Sequence, residues 1–109
     1  MKTKKDSKIE IIAIGSELLT PYSQDTNSLY LTERLNDLGM EVSFKTIVGD
    51  EWDDLVLCVK QALTRADIVI AMGGLGPTKD DRTREAIAAA LERKLIFKKT
   101  LLRKAIIAT

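Results

Sequence analysis

A short apolar run that ends in a cluster of glycines constrains this chain more than any other feature. Asp67-Ile68-Val69-Ile70-Ala71-Met72 reads as a buried strand. It runs straight into Gly73-Gly74-Leu75-Gly76-Pro77-Thr78-Lys79-Asp80-Asp81, and Arg84-Glu85-Ala86-Ile87-Ala88-Ala89-Ala90-Leu91 then has the composition of a helix. Glycines at 73, 74 and 76 let backbone N–H groups approach a ligand, because no Cβ atoms intervene. A strand, a glycine loop and a helix N-terminus together make an anion site from backbone dipoles. Asp80 and Asp81 add carboxylates beside it, which suits a phosphorylated ligand held partly through a cation.

The loop is neither a Walker A motif nor a G-x-G-x-x-G dinucleotide fingerprint, since neither spacing is present. A plain tight turn is the other reading. In it Thr78 caps the helix, Asp81 completes a capping-box variant, and Pro77 stiffens the entry.

Two further segments repeat the pattern. Lys8-Ile9-Glu10-Ile11-Ile12-Ala13-Ile14 predicts a strand covered on both faces, and it ends at Gly15-Ser16-Glu17. Pro21 interrupts regular structure after Leu19, and Asp25 or Thr26 can cap a helix whose Leu31, Leu35 and Leu38 share a face. Gly39 ends that helix. Glu41 to Val48 alternates at period two, predicting a second, less buried strand that ends at Gly49-Asp50. A second helix carries Leu55, Val56, Val59, Ala62 and Leu63 on one stripe.

Strand and helix therefore alternate three times. The expected fold is α/β, a three-layer α-β-α arrangement with a mainly parallel sheet and helices on both faces. Ligands of such sheets bind beyond the carboxyl ends of the strands. All three strands end in glycine followed by polar residues, so Glu17, Asp50, Asp80 and Asp81 are expected to converge on one edge. Each has a plainer role open to it: Asp50 as a helix cap, Asp80 and Asp81 as partners of a helix dipole, Glu17 as a solvated residue. Lys79 and Arg82 either neutralise a phosphate or are simply exposed charge.

Composition narrows the function. Seventeen basic and 16 acidic residues nearly cancel, which argues against electrostatic binding to nucleic acid or membrane. The absence of histidine excludes His-based acid/base catalysis and the usual zinc sites. One cysteine, Cys58, cannot pair internally; it reads as core filler and fits a reducing cytoplasm. No apolar run approaches membrane-spanning length. Residues 1–8 read as a basic flexible tail and 9–109 as a single domain, in keeping with a length of 109.

Ile12-Ala13-Ile14-Gly15-Ser16-Glu17-Leu18-Leu19, Asp25-Thr26-Asn27-Ser28, Val48-Gly49-Asp50 and the segment from Gly73 to Asp81 resemble the amino-terminal domain of the competence-damage-inducible CinA proteins. That domain shares a molybdopterin-binding superfamily with the MogA/MoaB and MoeA-type cofactor-biosynthesis proteins. The resemblance implies a small phosphorylated ligand: ADP-ribose, a nucleotide or a pterin phosphate. It implies Asp50 and Asp81 as catalytic residues, with Asp50, Asp80 and Asp81 holding Mg²⁺ or a similar divalent cation. Gly15, Ser16, Glu17, Asn27, Gly73, Gly74, Leu75, Gly76, Thr78 and Lys79 would bind the substrate and its phosphate. The implied reaction is metal-dependent hydrolysis of ADP-ribose to AMP and ribose 5-phosphate, in a homo-oligomer (dimer or trimer). A binding module without turnover, or an inactive remnant, is the alternative. Tyr22-Ser23-Gln24-Asp25 departs from the family pattern, where a glycine and an apolar pair often precede Thr-Asn. Relatives continue beyond Thr109, so the domain is expected to be incomplete there, and 100–107 is expected to be a helix that stops partway.

Overall fold

A computed structural model describes residues 7–73, the helical residues Ile87, Ala89 and Ala90, and the backbone of 105–108. Its elements in chain order are β1 (Ile9–Ile14), a 3₁₀ turn (Ser16–Leu19), α1 (Thr26–Asp37), β2 (Val42–Val48), α2 (Trp52–Arg65), β3 (Ile68–Met72) and β4 (Ala105–Ala108). The sheet runs β2-β1-β3-β4 and every pair is parallel.

β1 is the central support, and all six of its residues are buried. Successive side chains of a strand point to opposite faces, and here each face meets a different helix. Ile9 and Ile11 pack with Leu35 of α1 and with Ile70 and Met72 of β3. Ile12 and Ile14 pack with Leu55, Val59, Ala62 and Leu63 of α2, together with Val69, Ala71, Ile87 and Ala90. The predicted stripe on α2 is thus the side it buries. β2 alternates between half-buried and exposed positions, as its period-two sequence requires.

Three details correct the sequence reading. The segment expected to end in a helix at 105–107 is strand β4, pairing with Val69 through Met72 of β3. Ala-Ile-Ile-Ala is a short apolar run, which fits a buried parallel strand as readily as a helix. Leu38 does not share the buried face of Leu35: it is the C-cap residue and 62% exposed. The chain turns away there in a Schellman arrangement. The Gly39 N–H donates to Asn36 O at 3.0 Å, the Met40 N–H donates to Leu35 O at 2.9 Å, and Gly39 takes φ +80°. Third, the N-cap position of α2 is Glu51, whose side chain makes no cap hydrogen bond, and not Asp50.

One buried charge was not foreseen. Glu10 lies on β1 with no exposed surface. Its carboxylate accepts from Arg65 Nε at 2.8 Å, from Arg65 Nη2 at 2.9 Å and from Thr46 Oγ1 at 2.7 Å. The Arg65 guanidinium, its side chain 35% exposed, lies 4.2 Å from the Phe44 ring centre. Bidentate pairing and a hydroxyl donor satisfy the buried acid, and they tie β1, β2 and α2 together. At the same end of the sheet, Lys8 N donates to the Asp67 carboxylate at 2.9 Å, while Lys8 O accepts from the N–H groups of Asp67 and Ile68.

Candidate functional site

The parallel register decides which residues meet. Ile14 is level with Val48 of β2, and Ala13 is level with Met72 of β3. The glycines at 15, 49 and 73 therefore emerge along one edge, as expected. Gly15 is buried, and its N–H donates to Val48 O at 2.9 Å. Gly73 takes φ +85°, and a Cβ there would lie 2.7 Å from the Ile14 carbonyl oxygen. Only glycine fits where β3 turns off beside β1.

A cavity of about 200 Å³ opens at this edge. Its floor is Ala13 and Ile14 of β1 with Met72 and Gly73 of β3. One wall is Glu17 and Leu18 of the 3₁₀ turn, and the other is Ser23 through Asn27, leading into α1. In the order β2-β1-β3-β4, the chain leaves β1 toward β2 and then crosses back to β3. The topological switch point accordingly lies between β1 and β3, where open α/β sheets bind their ligands. The cavity sits on that point. A larger, more open depression of about 630 Å³ lies at the opposite edge, lined by Thr32, Asn36 and residues 39–42. Its described lining carries a single ionisable side chain, Glu41.

Two carboxylates face the cavity. Asp25 is engaged as the N-cap of α1: its Oδ1 accepts from the Ser28 N–H at 3.1 Å and its Oδ2 accepts from the Ser28 hydroxyl. It sits where the positive end of the helix dipole favours an anion. Glu17 is exposed, and its carboxylate folds over Gly15 so closely that a Cβ at 15 would lie 2.7 Å from Oε2. The first two helical residues of α1, Thr26 and Asn27, complete the wall on the Asp25 side, and Asn27 is exposed.

Of the residues anticipated for the site, the cavity gathers Glu17, Asn27 and Gly73. Gly15 and Ser16 lie between its floor and the Glu17 wall, with Ser16 exposed. Asp50 is half-buried at the same edge, two residues beyond the end of β2, and is not among the lining residues. The residues expected at Gly74, Leu75, Gly76, Thr78, Lys79, Asp80 and Asp81 lie outside the described residues. Among the described residues no three acidic or thiol side chains converge as a cation site, so Glu17 and Asp50 alone do not make one. Ser23, Gln24, Asp25 and Thr26 were not foreseen as lining. Pro21 and the cap at Asp25 placed them before a helix, and in a parallel sheet that position is the ligand edge.

A doubly wound α/β domain with a cavity at its switch point is the class that fold and site define. The family model described as a probable molybdopterin binding domain matches residues 10–107, and the chain belongs to that family. It is 64% identical over 86 residues to a CinA-like protein of Acidobacterium capsulatum, covering 79% of this chain and 21% of that protein. A CinA-like protein of Koribacter versatilis is 63% identical over 86 residues, with the same coverage. The chain thus spans about a fifth of the length of these curated relatives. Among solved structures it resembles the CinA protein of Thermoplasma acidophilum, with a TM-score of 0.73 at 30% identity. That match covers 83% of this chain and 53% of the other. It also resembles the molybdopterin biosynthesis enzyme MoaB of Thermus thermophilus, with a TM-score of 0.68 at 26% identity, covering 84% and 56%.

Among the described residues no helix is long and apolar enough to cross a membrane.

Proposed function

We propose that the β1/β3 edge binds a phosphorylated ligand carrying a sugar or a fused ring, with ADP-ribose as substrate. The observation that carries this reading is the cavity at the switch point, floored by a glycine that tolerates no Cβ. Its walls and its Gly73 side differ chemically. The two walls, with Glu17 on one and Asp25 on the other, are acidic, repel phosphate, and accept hydrogen bonds from hydroxyl or amino groups of a ligand. Phosphate belongs on the Gly73 side, where the chain continues into the segment containing Gly74, Leu75, Gly76, Thr78 and Lys79.

In this reading water adds across the phosphoanhydride. Its oxygen bonds to one phosphorus, and the bridging oxygen leaves with the other phosphoryl group. The products are AMP and ribose 5-phosphate. Asp50 and Asp81 orient the water and take up its proton, while Asn27 and Glu17 hold the sugar hydroxyls. Asp50, Asp80 and Asp81 would hold a divalent cation, since carboxylate oxygens suit hard cations. Such a cation, when bound, neutralises charge on the phosphoryl oxygens. No step is assigned to Cys58, a half-buried thiol.

The family description and the MoaB neighbour favour a second ligand for the same cavity, a pterin phosphate, which a binding module would hold without turnover. Thermal unfolding of the 109-residue chain with ADP-ribose, with and without Mg²⁺, tests for a site. Ligand at about 100 times its Kd stabilises by about 2.7 kcal/mol. Release of AMP by the wild type, lost in Asp50→Asn and in Asp81→Asn with Tm moved by only a few degrees, supports catalysis. Binding of ADP-ribose without AMP release rejects the hydrolase reading, and absence of a shift both with ADP-ribose and with a pterin monophosphate rejects both readings.

A further inference from the structure

The described lining of the cavity contains no aromatic side chain, although a nucleobase or a pterin needs a flat apolar surface to rest on. Tyr22, 92% exposed, immediately precedes the lining residues Ser23 and Gln24 in the chain. Its backbone is held: the Tyr22 N–H donates to Thr20 Oγ1 at 3.4 Å, and that hydroxyl donates to Glu17 O at 2.7 Å. The Thr20 N–H also donates to Glu17 O, at 3.2 Å, and Pro21 fixes φ between the two residues. The turn carrying Tyr22 is therefore tied to the same 3₁₀ segment that supplies the cavity wall. Tyr30, the other tyrosine, is already engaged, with the Arg34 guanidinium 5.6 Å from its ring centre.

Resting on the ligand-binding reading above, we propose that Tyr22 stacks on the heteroaromatic ring of the ligand and sets the preference for ring-bearing phosphates. The acidic walls take the sugar, the Gly73 side takes the phosphate, and the ring leaves the cavity past Ser23 toward Tyr22. On a backbone held in this way a tyrosine has only two side-chain torsions to fix on binding, which makes it an efficient platform. Stacking of this kind is sequence-tolerant, because every base presents a π-face.

Isothermal titration of the wild type, Tyr22→Ala and Tyr22→Phe with ADP-ribose, a pterin monophosphate and ribose 5-phosphate tests this. Tyr22→Ala is expected to weaken a ring-bearing ligand about ten- to a hundredfold, from typical stacking energies. Tyr22→Phe should bind within about threefold of the wild type, and ribose 5-phosphate should be indifferent to both changes. The ring probe that loses affinity identifies adenine or pterin as the partner. Equal affinity of Tyr22→Ala and wild type for a ring-bearing ligand overturns the stacking role and leaves the site intact. Parallel loss for ribose 5-phosphate overturns it too, by showing a wall distortion. A wild type that binds no ring-bearing ligand overturns both this role and the site itself.

Discussion

Substituting Ala at Gly73 and, separately, at Gly39 tests the geometry of the ligand edge. The two glycines share a backbone conformation, φ +85° and +80°. A non-glycine residue in that region costs about 1–2 kcal/mol. Their surroundings differ. A Cβ at Gly39 meets nothing within 4 Å, whereas a Cβ at Gly73 meets the Ile14 carbonyl oxygen at 2.7 Å. Ordinary contact begins at 3.4 Å, so the central strand or the turn must yield by about 0.7 Å (3.4 minus 2.7). Overpacking of this sort costs about 1–3 kcal/mol more. Gly39→Ala should thus lose about 1–2 kcal/mol, and Gly73→Ala about 2–5. With about 4–8 °C per kcal/mol for a domain of this size, calorimetry should place Gly73→Ala at least about 4 °C below Gly39→Ala. Equal melting temperatures would refute the close approach of β3 to β1, and with it the reason for a glycine at the cavity floor.

Packing and burial lead to three further expected outcomes. Arg65→Met leaves the Glu10 carboxylate buried with Thr46 as its one side-chain donor among the described residues, and should lower Tm by about 10 °C or more. Replacing both partners with methionine should recover most of that loss, which thermal melts of the three chains will show. Asp25→Ala removes the cap of α1 and should cost about 1 kcal/mol, read as a lower urea midpoint. Burial, and next the negative charge of Glu10, push the Cys58 thiol up to about 11 from 9.0, with Arg65 acting in the opposite direction. Because the folded value is the higher, this contribution to stability is complete below pH 9 and is lost as pH rises toward 11. Urea midpoints should fall over that window in wild type but not in Cys58→Ala. A thiol reagent at about pH 8 should react more slowly with folded than with unfolded chain.

Periodicity and glycine placement made most of the fold legible. The spacing of Leu55, Val59, Ala62 and Leu63 named the buried side of α2, and alternation named β2 as the half-exposed strand. The three glycine-ended strands pointed to the edge where the cavity opens, without any knowledge of register. Legibility failed where two states share a local signal. Residues 105–108 are apolar without a resolving period, and their pairing with β3 is a tertiary fact. Leu38 obeyed helical spacing, yet the helix ended on it. Glu10 stood within the expected strand with no sign of its pairing, because its partners Thr46 and Arg65 lie 36 and 55 residues away. In the cavity wall Asp25 and Thr26 read as capping alone, since a cap that also lines a site leaves no separate mark in the sequence, and only Asn27 was expected there.

Backbone NMR of the isotopically labelled 109-residue chain, titrated with ADP-ribose and Mg²⁺, tests the central claim most directly. A site at the β1/β3 switch point predicts shifts at Gly15 through Glu17, Ser23 through Asn27 and Gly73, with the Thr32 and Asn36 region at the opposite edge unmoved. Shifts centred on Thr32, Asn36 and residues 39–42, or no shifts at saturating ligand, would contradict it.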